Sequence, residues 1–134
     1  MKKTAQQLVA EAEAEIETIS VEEAFKLHGD PDVVIVDVRD VRELKREGFI
    51  PDAFHAPRGM LEFWIDPDSP YYHDIFSSGK RFVFYCNLGW RSALVVKVMQ
   101  DMGLPRVCHI DGGFDAWCCR ASVARRRLGR TRER

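Results

Sequence analysis

The chain has 134 residues, of which 46% are hydrophobic and 31% charged, and its formal net charge is −1. That length fits one domain with a proper core, and the composition is that of an ordinary soluble chain. A near-zero charge argues against bulk affinity for nucleic acid or membrane, and no apolar run approaches the roughly 18 residues of a membrane span.

Met1-Lys2-Lys3 is basic, but polar residues follow it instead of an apolar signal core, so a cytoplasmic location is expected. Residues 3–15 are rich in Ala, Glu and Gln. They predict a lead-in helix with a thin apolar face, loosely packed or frayed. Residues 16–19 alternate apolar and polar, the pattern of a short edge strand. Ser20 with Glu23 reads as a capping box for a helix through Leu27, and His28-Gly29-Asp30-Pro31 ends it.

Val33-Val34-Ile35-Val36 is β-branched and uninterrupted, as in a central parallel strand. Asp40 can cap the helix that follows, and Gly48 stops it. Phe54-His55-Ala56 fits a short strand, and residues 60–65 a helical turn. Asp66-Pro67-Asp68-Ser69-Pro70 is dense in turn residues. Residues 71–76 fit another short helix. A second apolar strand starts at Arg81, and a helix is expected from about 92 to 102, with Gly103 as its cap. Val107-Cys108-His109-Ile110 is the last strand. Asp111-Gly112-Gly113 turns into the helix Phe114-Asp115-Ala116-Trp117, and residues 120–134, with seven Arg and one Glu, form a tail expected to be solvated and disordered.

Strands alternating with helices predict an α/β fold, a parallel sheet covered by helices on both faces. Ligands bind such sheets beyond the carboxyl ends of the strands. Cys86 stands at such an end, between the apolar run Phe82-Val83-Phe84-Tyr85 and the next helix. The loop Cys86-Asn87-Leu88-Gly89-Trp90-Arg91 can turn its N–H groups inward, and the helix beginning near Ser92 adds its positive dipole end. A thiol in that field ionises more readily than a free cysteine. The alternative is a Cys that only packs at the end of a strand. The other cysteines are Cys108, Cys118 and Cys119. No Cys-x-x-Cys pair exists and no His lies at ligand spacing, so no metal or cofactor is implied. Free thiols fit a reducing compartment.

Five segments in order are similar to the single-domain rhodanese family of sulfurtransferases. They are Ile19-Ser20-Val21-Glu22-Glu23-Ala24, Val36-Asp37-Val38-Arg39 with Glu43, Gly48-Phe49-Ile50-Pro51-Asp52-Ala53, Tyr85-Cys86 through Ser92-Ala93, and Gly112-Gly113-Phe114-Asp115-Ala116-Trp117. Phe49 and Asp52 depart from the family's usual His and Gly. The resemblance covers roughly residues 16–117 and implies a three-layer fold around a five-stranded parallel sheet. The corresponding division is a lead-in helix over 1–15, the domain over 16–119 and the tail over 120–134.

The resemblance also implies a double displacement. Cys86 would take the outer sulfur of thiosulfate or a similar small anionic donor, carry it as a persulfide, and pass it to cyanide or a thiol. The N–H groups of Asn87, Leu88, Gly89, Trp90 and Arg91 would stabilise the charge. Arg91 could bind donor oxyanions or brace the loop against a carboxylate. Arg58 is a second candidate for donor binding, Asp37 and Ser92 are supporting residues, and Trp90 narrows the pocket mouth or shields the loop. His55 and His109 read as satisfied strand-end histidines. A protein sulfur donor or acceptor is a further possible partner, while nucleic acid and membrane are not expected. The alternatives are a partner-binding or sulfur-carrier module, and a cysteine phosphatase or arsenate reductase. The phosphatase pattern has five residues between Cys and Arg, where this loop has four.

Overall fold

The computed structural model describes the backbone of residues 1–133 and the side chains of residues 1–124. Five strands carry the architecture: β1 (Glu17–Ile19), β2 (Val33–Asp37), β3 (Phe54–His55), β4 (Arg81–Tyr85) and β5 (Val107–Ile110). They form one sheet in the order β1-β5-β4-β2-β3, and every pairing is parallel. The β-branched run expected to be central lies inside the sheet as β2, the apolar run of β4 takes the middle position beside it, and the short strands β1 and β3 are the edges.

Helices cover both faces. On one face α4 (Leu61–Ile65) and α5 (Trp90–Asp101) bury Leu61, Ile65, Val95, Val96 and Met99 against Val36, Phe82 and Phe84. On the other, α2 (Val21–Leu27) and α6 (Gly113–Glu133) bury Ala24, Phe114 and Trp117 against Ile35, Val83, Tyr85 and Ile110. Alternate residues of β4 thus feed opposite cores, as the two-residue period of a strand requires. Burying each such side chain stabilises the fold by roughly 1.5–3 kcal/mol.

The helix ends follow from local chemistry. α3 (Val41–Glu47) opens with a reciprocal capping box between Asp40 and Glu43 and stops at Gly48, whose φ is +85°. Ser20 caps α2 through Glu23 N–H alone, not through the reciprocal box. The lead-in helix α1 (Ala5–Glu15) carries an unforeseen box between Thr4 and Gln7. It is docked, not frayed: Ala12 is buried, Gln100 Nε2 of α5 bonds Glu15 O at 3.0 Å, and Lys97 reaches the Glu15 carboxylate at 2.8 Å.

Two boundaries differ from the sequence expectation. α5 starts at Trp90, two residues early, because Gly89 adopts φ +104° and lets the loop turn straight into the helix. α6 continues past Trp117 as far as Glu133, where a helix ending at Trp117 and a disordered segment were expected. The intervening residues are mostly helix formers with no proline to stop them. Arg120 lies over the Phe25 ring, 4.9 Å from its centroid, and pairs with Glu22 of α2, so the start of that segment belongs to the packed domain. The side chains of residues 125–134, and Arg134 entirely, lie outside the described residues. Among the described residues no helix is long and apolar enough to cross a membrane.

Candidate active site

β4 delivers Cys86 to the carboxyl end of the sheet, where the residue is only 1% exposed. Its sulfur accepts the N–H groups of Gly89 at 3.2 Å and Ser92 at 3.4 Å, and its thiol faces Ser92 Oγ at 3.6 Å. No side chain caps α5. The sulfur fills that place, taking a first-turn N–H that would otherwise lack a partner. Trp90 and Arg91 occupy the same turn, ahead of the first intrahelical bond from Ala93 N–H to Gly89 O.

The loop's outer side is held by α6. Phe114 N–H donates to Cys86 O at 2.8 Å and Asp115 N–H to Asn87 O at 3.1 Å. These peptides are trans, so the Asn87 and Leu88 N–H groups point the opposite way, off α6 and into the loop. Gly113 makes this possible. A Cβ there would lie 2.4 Å from Cys86 O, and its φ is +56°. One helix N-terminus therefore takes up the loop's carbonyls while another presents N–H groups to the sulfur.

Beneath the loop lies a buried ionic network. Arg39 is fully buried and donates to both Asp37 oxygens (3.0 Å from Nε, 2.8 Å from Nη2), to Gly48 O at 2.8 Å and to Asn87 Oδ1 at 3.0 Å. Its guanidinium sits 4.4 Å from the Phe114 ring centroid. Burial acts to lower the Arg39 pKa, but the hydrogen bond and charge of Asp37 outweigh it and the value rises. Tyr85 donates to Asp37 at 2.6 Å and accepts Ile50 N–H at 3.1 Å. Burial, then the bond to Asp37, pushes its phenol up.

The candidate residues separate by position. Cys86, Asn87, Gly89 and Ser92 converge on the sulfur or on the loop that frames it. Asp37 supports the loop through Arg39, an arginine the sequence singles out only as part of a motif. Arg91 is engaged by a carboxylate: its guanidinium forks onto Glu43 at 2.9 and 3.0 Å, and that bond, ahead of an opposing burial effect, holds the Glu43 carboxyl below its usual range. Leu88 and Trp90 are exposed, Trp90 by 62%, so Trp90 does not lie folded over the loop. Arg58 stands apart, lining a cavity of about 60 Å³ with Glu62, Leu94, Val95, Val98 and Met99.

Both strand histidines have partners. His55 Nε2 bonds Arg39 O at 2.6 Å. His109, 1% exposed, bonds Ser92 Oγ through Nδ1 at 2.9 Å and Thr18 Oγ1 through Nε2 at 3.0 Å. It thus touches the residue that touches Cys86, a link the sequence reading missed. The available signal was one polar residue in the otherwise apolar strand Val107-Cys108-His109-Ile110.

Comparison with known proteins bears on the family of the chain. A family model for the rhodanese-like domain matches residues 20–119. The Bacillus subtilis (strain 168) protein named "Putative sulfurtransferase YtwF" is 33% identical over 103 residues, covering 77% of this chain and 88% of its own. The structure of RPA3614 from Rhodopseudomonas palustris CGA009, a protein of unknown function described as a possible tyrosine phosphatase, is 52% identical with a TM-score of 0.88, covering 90% of this chain and 93% of that one. The polysulfide-sulfur transferase homodimer of Wolinella succinogenes is 28% identical with a TM-score of 0.63, over 84% of this chain and 80% of that one. A sulfur set on a helix N-terminus, the parallel five-stranded sheet and these matches together place the chain in the rhodanese-like family.

Proposed function

We propose that the protein is a sulfurtransferase that carries a sulfane sulfur on Cys86. The observation that carries this reading is the sulfur of Cys86 held against two N–H donors at the start of α5. In the first half-reaction the thiolate attacks the outer sulfur of thiosulfate or a similar donor. The S–S bond of the donor breaks, sulfite leaves with the electron pair, and Cys86 holds a persulfide. In the second, an acceptor thiol attacks the outer sulfur and leaves as a persulfide, while its proton returns to Cys86. With cyanide the product is thiocyanate. Inward N–H groups from Asn87, Leu88, Trp90 and Arg91 receive the donor's oxyanions and the persulfide charge. The Arg91 side chain shapes the loop through Glu43 and does not bind donor. Free thiols, Cys86 included, fit work in a reducing compartment such as the cytoplasm.

The description of the R. palustris relative gives a second reading, phosphate-ester hydrolysis by Cys86. The four-residue spacing from Cys86 to Arg91 and the engagement of Arg91 by Glu43 favour sulfur instead. Reduced protein incubated with thiosulfate should gain the mass of one sulfur at Cys86, and cyanide should discharge it as thiocyanate. No mass gain together with hydrolysis of an aryl phosphate would replace the sulfurtransferase reading with the phosphatase one.

A further inference from the structure

A chain of hydrogen bonds runs from the buried sulfur to the edge of the sheet. Cys86 Sγ faces Ser92 Oγ at 3.6 Å, Ser92 Oγ meets His109 Nδ1 at 2.9 Å, and His109 Nε2 meets Thr18 Oγ1 at 3.0 Å. Cys86, Ser92 and His109 are each 1% exposed or less. Thr18 is exposed on the edge strand β1. Each link joins an atom that can give a proton to one that can take one.

We propose that Ser92, His109 and Thr18 form a proton relay between Cys86 and solvent at the sheet edge, with His109 exchanging tautomers as Cys86 changes protonation state. The inference rests on Cys86 being the sulfur-carrying nucleophile, and it supplies the route for the proton that a thiol must lose before it attacks.

The steps balance. The Cys86 proton passes to Ser92 Oγ as the Ser92 proton passes to His109 Nδ1. The Nε2 proton of His109 passes to Thr18 Oγ1, and Thr18 gives its own to water. One proton leaves the sulfur, which is left as the thiolate, one reaches solvent, and Ser92, His109 and Thr18 each end neutral. Afterwards Ser92 O–H points at the thiolate, Nδ1–H at Ser92 and Thr18 O–H at Nε2, so every donor faces the sulfur. The outer partner of a ring nitrogen sets which nitrogen carries the proton. A proton taken from solvent, in exchange for the one the acceptor thiol gives up, returns to Cys86 along the same path in reverse.

The surroundings suit a neutral ring. Phe84 of β4 is its register neighbour, and Gly89 of the loop approaches Cε1, where a Cβ would lie 3.8 Å away. Burial lowers the His109 pKa against a smaller opposing effect of the Asp111 carboxylate. On the Cys86 side, the Arg91–Glu43 pair lies beside the loop and the Arg39–Asp37 pair beneath it, joined to Asn87.

The test uses full-length reduced protein with ¹⁵N-labelled imidazole, without any sulfur donor. The His109 shifts should change from the Nε2–H to the Nδ1–H pattern as Cys86 is titrated from thiol to thiolate. In Cys86→Ala they should not change over the same range. His109→Asn keeps a donor toward Ser92 but does not reach Thr18, and alkylation of Cys86 at fixed pH should slow about fivefold. One unchanging tautomer in the wild type, or alkylation of His109→Asn at the wild-type rate, would overturn the relay. Neither readout needs sulfur transfer, so the relay can fail while persulfide loading succeeds, and a chain that loads no sulfur can still show the exchange.

Discussion

Arg39 is buried, and a buried guanidinium has to be neutralised and hydrogen-bonded where it stands. Asp37, Gly48 and Asn87 do this, tying β2, the turn after α3 and the Cys86 loop to one cation. Removing one partner of such a pair costs more than never having built it. Asp37→Asn should therefore lose about 3 kcal/mol in chemical denaturation; a wild-type midpoint would show that the pair contributes nothing. Arg91 and Glu43 are more exposed, so their pair is worth less. Glu43→Gln should cost about 1 kcal/mol. If Arg91 braces the loop, Glu43→Gln and Arg91→Met should lower sulfur transfer alike and non-additively. A raised donor KM in Arg91→Met alone would return Arg91 to donor binding. Of these residues, the sequence displayed Cys86 and the span to Arg91 plainly, because both lie in one contiguous stretch. It left the role of Arg91 open, because Glu43 is 48 positions away and its approach is made by tertiary folding. Thr18 and His109 are 91 positions apart, and no local pattern marks a contact between them.

The loop works as part of two helices. α5 supplies donors to the sulfur and α6 takes up the carbonyls behind it, with Gly113 at the closest approach. Gly113→Ala would force a methyl against Cys86 O and require a backbone angle that L-residues rarely adopt. The start of α6 must back away, and the loop with it. Persulfide loading should fall on the order of 100-fold, while far-ultraviolet circular dichroism keeps the helix signal. Unchanged loading would show that the α6 contacts do not set the loop. At this level the sequence was most informative. Runs of β-branched and aromatic residues marked β2 and β4, and glycines marked the ends of α3 and α5. The early start of α5 and the length of α6 were less legible, since a left-handed glycine ahead of a helix and a polar helix beyond its apolar stripe both lack periodicity.

The molecule as a whole should lose stability in acid. His109 is held neutral by burial, so its native pKa lies below the ordinary value and the unfolded chain binds more protons there. Its contribution is complete above about pH 6.5 and declines as the pH falls toward the native value. Glu43, depressed chiefly by its bond to Arg91, gives way at lower pH, through the carboxylate range. Midpoints in urea measured across this range should fall below about pH 6.5, and His109→Asn should flatten the first part of the decline. An equal slope in that variant would assign it to other groups.

The chain also contains its own optical gauge. Of its three tryptophans, Trp117 is buried in a stack on Phe25 and Trp64 is stacked on His73. Trp90 stands in solvent, four positions from Cys86. A water-soluble quencher should therefore extinguish chiefly the red-shifted part of the emission, the part that comes from the rim of the loop. Sulfur arriving on Cys86, or a partner settling over it, should dim or shield that emission, so occupancy could be followed in the unmodified protein without a label.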